Sequence, residues 1–296
     1  FAVFLVAFQS HYTIYFMRLH RFYIGGENGV DLANLAIGNR FILDSLHNES
    51  FRALVHQWKD VFRYMPGSRV VLFDDSKTEC LCMIESYGSF KTEVVILEKV
   101  DGNLMTDSAK TADVVDSADG VDEPSTKTLP SHLKSAKNEE LWLFASILKG
   151  ENFDLVVQKV TELGADHVVP VLCDRTIKKN INQKRAEKIA IEASEQSGRT
   201  SVLKVYEPVT LKKAVEDFLA IDGDIVVCHQ RGDSWEDGKK LLKKFPLGFL
   251  IGPEGGWSEK EEKYYEKMAL RKIKFSENVL RAETAAIGVV TLAKVV

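Results

Sequence analysis

Residues 250–256 read LIGPEGG, an apolar run that breaks into a turn holding three glycines around an acid. Glycine in such a turn lets backbone approach a ligand, most often a phosphate at a helix N-terminus. Glu254 would repel a phosphate, and neither GxxxxGK[ST] nor GxGxxG fits the stretch. The expected ligand is neutral or cationic, unless backbone donors occupy the carboxylate. Ser258-Glu259-Lys260-Glu261 follows with the spacing of a capping box, so the turn leads into a helix. A plain strand-to-helix turn would look the same.

A second stretch, residues 278–296, reads NVLRAETAAIGVVTLAKVV. Leu280-Arg281-Ala282-Glu283-Thr284 opens a helix rich enough in Ala, Val and Ile to be buried. Glu283 in its first turn complements the helix dipole. Arg281 beside a core needs a partner, because a buried guanidinium without one is costly. In the third stretch, residues 189–199, a helix ends at Gly198 and presents Gln196 and Arg199, as a simple C-cap with a basic residue also would.

The elements that position these residues follow from periodicity. Short β-prone runs fill residues 17–98 (RFYIG, RFILD, RVVLFDD, ECLCMIESYG, TEVVILE), with one helical stretch, NESFRALVHQWKDVFRYM, which suggests a small β-barrel. Residues 100–138 hold no aromatic and little apolar content, as a flexible acidic linker would. Beyond them, LWLFASIL, HVVPVLC, DIVVCH, LGFLIG and KIKF alternate with helical segments, which implies a parallel α/β sheet. In the first helix Phe153, Val156, Val157, Val160 and Leu163 mark one face and Gly164 is the C-terminal cap. Ligands in such sheets collect at the carboxyl ends of strands, so Gly252 to Gly256 and the residues after Cys228 form a candidate site.

The chain has 296 residues, 45% hydrophobic, with a net charge of −4, so overall charge gives no sign of nucleic acid. The charge is uneven, however. Residues 101–140 carry 9 acids and 4 lysines, net −5, whereas residues 175–213 carry 10 basic residues and 4 acids, net +6. The basic run suits a phosphate backbone or a solvated helix face. Four scattered cysteines fit a reducing cytoplasm, and Cys80 and Cys82, on one side of a strand, lack further ligands for a metal site. The apolar start is too short to span a bilayer and lacks a basic n-region, and no membrane partner is expected. Met17 looks like a more natural beginning, so residues 1–16 are expected to be an upstream extension.

The three stretches together resemble the bacterial small-subunit (16S) ribosomal RNA uridine-N3 methyltransferases, of the SPOUT class of S-adenosylmethionine-dependent enzymes. The matching pieces are KGENFDLVVQKVTELG (149–164), VVPVLCDRT, EQSGR (195–199), LIGPEGGWSEKE (250–261) and LRAETA (280–285), with RFYI and HQWKDVFRYMPGSRVVLFD (56–74) resembling the family's N-terminal domain. The resemblance implies a PUA-like β-barrel over 17–99 that helps hold RNA, and a SPOUT α/β domain over 139–296 whose chain forms a trefoil knot. It also implies a homodimer and a cofactor site at Cys228, His229, Leu250, Ile251, Gly252, Pro253, Glu254, Gly255, Gly256, Val279, Leu280, Arg281, Thr284 and Ala285. The chain departs from the family pattern at Asn278, where an arginine is usual, at Leu203, where a proline is usual, and at Asp174-Arg175, usually Glu-Arg.

Uracil N3 carries a proton at neutral pH, so its methylation needs a base or a cation that stabilises the uridinate. Arg281 is assigned the electrostatic role, with Glu254 and Glu283 as possible bases. Arg21, Arg175, Lys178, Lys179, Gln196 and Arg199 are assigned to RNA. A SPOUT methyltransferase on another RNA and a non-catalytic ribosome-assembly module are the competing expectations. Nucleotide hydrolysis is disfavoured because no phosphate-binding lysine or metal carboxylate pair accompanies the glycines.

Overall fold

The computed structural model describes residues 19–26, 29–101, 140–239 and 246–295. The expected extension at 1–16 and the expected linker beyond residue 101 lie outside the described residues. The described chain forms two compact units, one of residues 19–101 with Ser194–Val202, the other of residues 140–193 and 203–295.

In the first unit, β1 (Arg21–Tyr23), β2 (Arg40–Asp44), α1 (Glu49–His56), β3 (Arg69–Phe73), β4 (Thr78–Tyr87) and β5 (Lys91–Asp101) follow the β-prone runs. The last strand extends two residues into the stretch expected to be linker. The sheet order is β1-β3-β4-β5-β2, with β1 parallel to β3 and the other pairs antiparallel. Asn48 caps α1 by accepting from the Phe51 N–H at 3.1 Å, and Phe51, Leu54 and Val55 face the core at helical spacing. Strand alternation sends Cys80, Cys82 and Ile84 into that core beside Phe22, Trp58 and Leu72.

Arg21 departs from its expected place on an RNA surface, being only 5% exposed. Its guanidinium donates to the carbonyls of Ser194 and Arg199 at 3.4 and 2.8 Å and pairs with buried Glu79. The Tyr23 N–H donates to the Glu195 carboxylate at 3.0 Å, so residues 194–199 are held along β1. Desolvation lowers the Arg21 pKa to about 10 even with Glu195 nearby, so the charge persists at neutral pH and needs these acceptors.

The second unit contains β6 (Leu141–Ser146), α2 (Asn152–Glu162), β7 (His167–Leu172), α3 (Gln183–Ser197, its last turn in the first unit), β8 (Lys204–Val205), β9 (Val209–Thr210), α4 (Leu211–Ala220), β10 (Asp224–Ser234), α5 (Trp235–Gly238), β11 (Leu247–Ile251), α6 (Glu259–Lys267), β12 (Arg271–Lys274) and α7 (Ala282–Val295). Its sheet runs β12-β10-β11-β6-β7-β8, with β9 also on β7, and every pairing is parallel. The two-residue strands β8 and β9 are too short to leave a sequence signal. Trp142, Phe144, Val171, Phe218, Leu250 and Tyr265 share one core. On α2, Phe153, Val156, Val157 and Val160 are buried while Leu163 is half-exposed, and Gly164 at φ +92° ends the helix.

Strand order decides where a ligand can bind. β6 lies between β7 and β11, and the chain leaves β6 towards β7 but leaves β11 towards β12 at the far edge. Loops from adjacent strands that depart in opposite directions leave a crevice at the carboxyl ends.

Candidate active site

That crevice is a cavity of about 630 Å³ within the second unit. Cys228, His229 and Gln230 line it from β10, and Ile251, Gly252, Pro253, Glu254, Gly256 and Trp257 from the turn after β11. Val279, Leu280, Arg281, Glu283 and Ala285 line it from the lead-in to α7 and its first turn. The structure thus gathers most of the expected cofactor residues around one space. Leu250 is instead fully buried in the core, Gly255 sits outside the lining, and Thr284 faces solvent.

On β10, Cys228 and Asp233 both register with Ile273, so residues 229–232 are extruded from the ladder. A Cβ on Gly232 would lie 2.5 Å from the Ile273 nitrogen, so only glycine allows this close approach. His229 Nδ1 accepts from the Arg231 N–H at 3.0 Å, which leaves Nε2 to donate to Glu262 at 3.4 Å. Arg231 also pairs with Glu262. The Gln230 side chain donates to the Asn278 carbonyl at 3.1 Å, tying the bulge to the α7 lead-in. This bond uses the backbone of Asn278, so the departure from arginine there leaves it possible. Burial raises the Cys228 thiol well above its ordinary pKa, which keeps it protonated and a poor nucleophile.

The Gly252–Gly256 turn is braced by two other loops. The Glu254 carboxylate accepts the Lys149 N–H at 3.0 Å, so a backbone donor from the loop after β6 occupies the acid. Arg175 donates to the Gly255 carbonyl at 2.8 Å. Ser258 and Glu261 make both halves of the expected capping box. Glu261 also accepts the Asp174 N–H at 2.8 Å, and the Ser258 hydroxyl donates to Asp174 at 2.6 Å. Asp174-Arg175, where the family has Glu-Arg, therefore clasps the turn from the end of β7. Ser258→Ala removes the cap and the Asp174 bond together, and urea unfolding should show a loss of about 1–2 kcal/mol.

Arg281 corrects another expectation. It precedes the helical residues of α7 and is exposed on the cavity wall, and its guanidinium has no hydrogen bond or ion pair among the described residues. Glu283 is 9% exposed and lines the same cavity, and its carboxylate has no hydrogen bond or ion pair among the described residues. Of the basic run, Lys178 Nζ lies 3.4 Å from the Gly150 carbonyl, and Lys179 is exposed. Arg185 is bound by Glu151 at 2.9 Å and Asp154 at 2.8 Å. In the first unit Gln196 is exposed, whereas Arg199 is half-buried and donates to the Ser201 hydroxyl at 3.2 Å. Leu203, where the family has proline, is a buried side chain of the second unit.

Sequence reasoning missed Lys149, Asn152, Trp257 and the residues from Ile273 to Ser276, all of which line the cavity. Only the pairing of β6 with β11 places the first two. Among the described residues no three His, Cys, Asp or Glu side chains converge as metal ligands.

Ribosomal RNA small subunit methyltransferase E of Rickettsia conorii aligns over 276 residues at 24% identity, 92% of this chain and 93% of that protein. Ribosomal RNA small subunit methyltransferase E 2 of Borreliella burgdorferi aligns over 156 residues at 31% identity, covering 51% of this chain and 63% of the relative, under two thirds of its length. The crystal structure of ribosomal RNA small subunit methyltransferase E from Neisseria gonorrhoeae bound to S-adenosyl methionine shares the fold, with a TM-score of 0.70, 22% identity, 94% of this chain and 98% of that chain. The family model of the RNA methyltransferase domain matches residues 135–294, more than half of the chain, and with the two signature turns meeting in one cavity the chain belongs to that family.

Proposed function

We propose that this chain methylates uracil N3 in small-subunit (16S) ribosomal RNA, with S-adenosylmethionine as donor. The observation that carries this reading is the meeting of the GPEGG turn and the LRAETA lead-in around one cavity, with Arg281 in its wall. The relatives are named as small-subunit ribosomal RNA methyltransferases, and one is bound to S-adenosyl methionine.

The cavity fits that cofactor. At about 630 Å³ it falls within the roughly 300–1,000 Å³ of small-molecule sites. Ile251, Pro253 and Leu280 offer apolar wall for a purine, and Gly252 lets the Trp257 ring pack where a Cβ would otherwise stand. When bound, S-adenosylmethionine supplies the methyl group.

The chain's own residues then handle charge and protons. Arg281 stabilises the negative charge that spreads over the base as N3 loses its proton. Of the two carboxylates, Glu254 is engaged by the Lys149 N–H, whereas Glu283 faces the cavity without such a bond, so Glu283 is the better-placed proton acceptor. The uridine has to leave its stack to reach the cavity.

The five-stranded unit is read as a PUA-like barrel holding RNA, the second unit as a trefoil knot, and a second copy of the chain as completing the site. The family resemblance supports these readings, and the TM-score of 0.70 supports the fold alone. A cytoplasmic setting follows from the substrate, and no helix among the described residues is long and apolar enough to cross a membrane.

The test is to incubate the protein with labelled cofactor and purified small subunits from cells lacking it, then identify the modified base by mass spectrometry. Label in 3-methyluridine of the small-subunit RNA is expected. Label in another nucleotide would reassign the substrate, and cofactor binding without transfer would make the protein a non-catalytic RNA-binding module.

A further inference from the structure

We infer that Lys149 is an RNA contact at the mouth of the cavity, taking a backbone phosphate beside the target uridine. The inference rests on the RNA methyltransferase reading above and adds a residue to the basic segment expected to bind RNA.

Lys149 follows β6, lines the cavity that also holds Arg281, and is exposed. Its ammonium has no ion pair or hydrogen bond among the described residues. Its backbone, in contrast, is fixed. The N–H donates to Glu254 at 3.0 Å, and the carbonyl accepts from the Asn152 N–H at 3.2 Å. A long cationic side chain on an immobilised backbone at a cavity mouth suits a diffuse anion such as a phosphate.

The basic segment reaches the cavity at this turn. Lys178 Nζ lies 3.4 Å from the carbonyl of Gly150, the residue after Lys149. Other members of the run are already engaged, Arg175 by the Gly255 carbonyl, Arg185 by Glu151 and Asp154, and Lys188 by Glu192 at 3.7 Å. Lys178 has only that one long carbonyl bond and no carboxylate partner among the described residues, so its charge stays available beside Lys149, and Lys179 next to it in sequence is exposed. An RNA strand tracking these lysines passes the cavity opening, and the phosphate flanking an unstacked base lies where Lys149 can meet it.

The experiment compares Lys149→Gln and Lys149→Arg with the wild type. The Glu254 bond uses the Lys149 N–H, so both variants retain it. Cofactor affinity is measured by calorimetry with S-adenosylmethionine alone, and binding to small-subunit RNA is followed against salt. The glutamine variant should leave cofactor Kd within about twofold, reduce the slope of log K against log salt by roughly 0.7–0.9, one phosphate's worth, and raise KM for RNA more than it lowers kcat. The arginine variant should restore the slope. An unchanged slope would overturn the inference, as would a loss of cofactor affinity large enough to explain the whole effect, because Lys149 would then hold the cofactor's carboxylate. If the wild type binds RNA but transfers no methyl group, the methyltransferase reading fails while the salt comparison still decides the role of Lys149.

Discussion

Arg281→Ala should lower kcat for methyl transfer by about 10²–10³-fold, the usual effect of losing one preorganised group aimed at developing charge. The reason is electrostatic. Deprotonating uracil N3 places negative charge on the base in a partly desolvated cavity, where a positive charge is worth more than in water. Arg281 is exposed on the cavity wall and its guanidinium bonds no other described residue, so its removal breaks no hydrogen bond or ion pair. Arg281 serves the helix through its carbonyl, which accepts the Ala285 N–H at 2.8 Å and survives the substitution. Thermal stability should therefore stay close to wild type while turnover collapses. Arg281→Lys should recover part of the rate, since it keeps the charge but loses the planar fork. Unchanged turnover in the alanine variant would remove Arg281 from the mechanism, and a parallel fall in melting temperature would make its role structural.

Gly252→Ala should weaken S-adenosylmethionine binding by about tenfold or more, equivalent to about 1.4 kcal/mol. A Cβ at Gly252 would meet the Trp257 ring at 2.8 Å, closer than side chains tolerate. The indole cannot simply turn aside, because it packs edge-on against the fully buried Tyr265, with ring centroids 5.1 Å apart. Either the ring or the turn has to shift, and both line the cavity. Forcing an extra methyl into such packing should also destabilise the unit by about 1–3 kcal/mol, read by urea unfolding. Gly255→Ala is the matched control. Its Cβ would lie 3.3 Å from the aliphatic Arg175 chain, outside the cavity lining, so its effect on cofactor binding should be smaller. Wild-type affinity in Gly252→Ala would show that the indole yields and that the turn is not rigid.

Much of the scaffold was legible because its signals are local. The apolar runs that became β3, β6, β7 and β11 carry β-branched and aromatic residues bounded by turn formers, and the spacing of Phe153, Val156, Val157 and Val160 marks one face of α2. The Ser258–Glu261 box and the glycine ends of α2 and α3 involve residues within one turn of each other, so pattern alone sufficed. β10 was harder. Its pairing continues past Cys228 through a bulge that depends on β12 lying beside it.

Side-chain roles fared less evenly. Arg21 and Arg281 were both arginines near apolar sequence, yet the first is buried against Glu79 and two carbonyls while the second is exposed on a cavity wall. Their neighbours in sequence do not distinguish them. What differs is the set of distant groups that fold against each one.

By itself, the amino-acid sequence determined the parallel α/β core, the two signature turns and a turn whose acid disfavours phosphate, because each depends on residues a few positions apart. Only the tertiary structure decided that the acid is engaged. Glu254 accepts the backbone of Lys149, 105 positions away, because β6 and β11 are hydrogen-bonded neighbours in the sheet. The same pairing brings Lys149 to the cavity and places it beside the basic segment. Strand order is set by the burial of whole faces and by hydrogen bonds between distant strands, so no local pattern in the chain announces it.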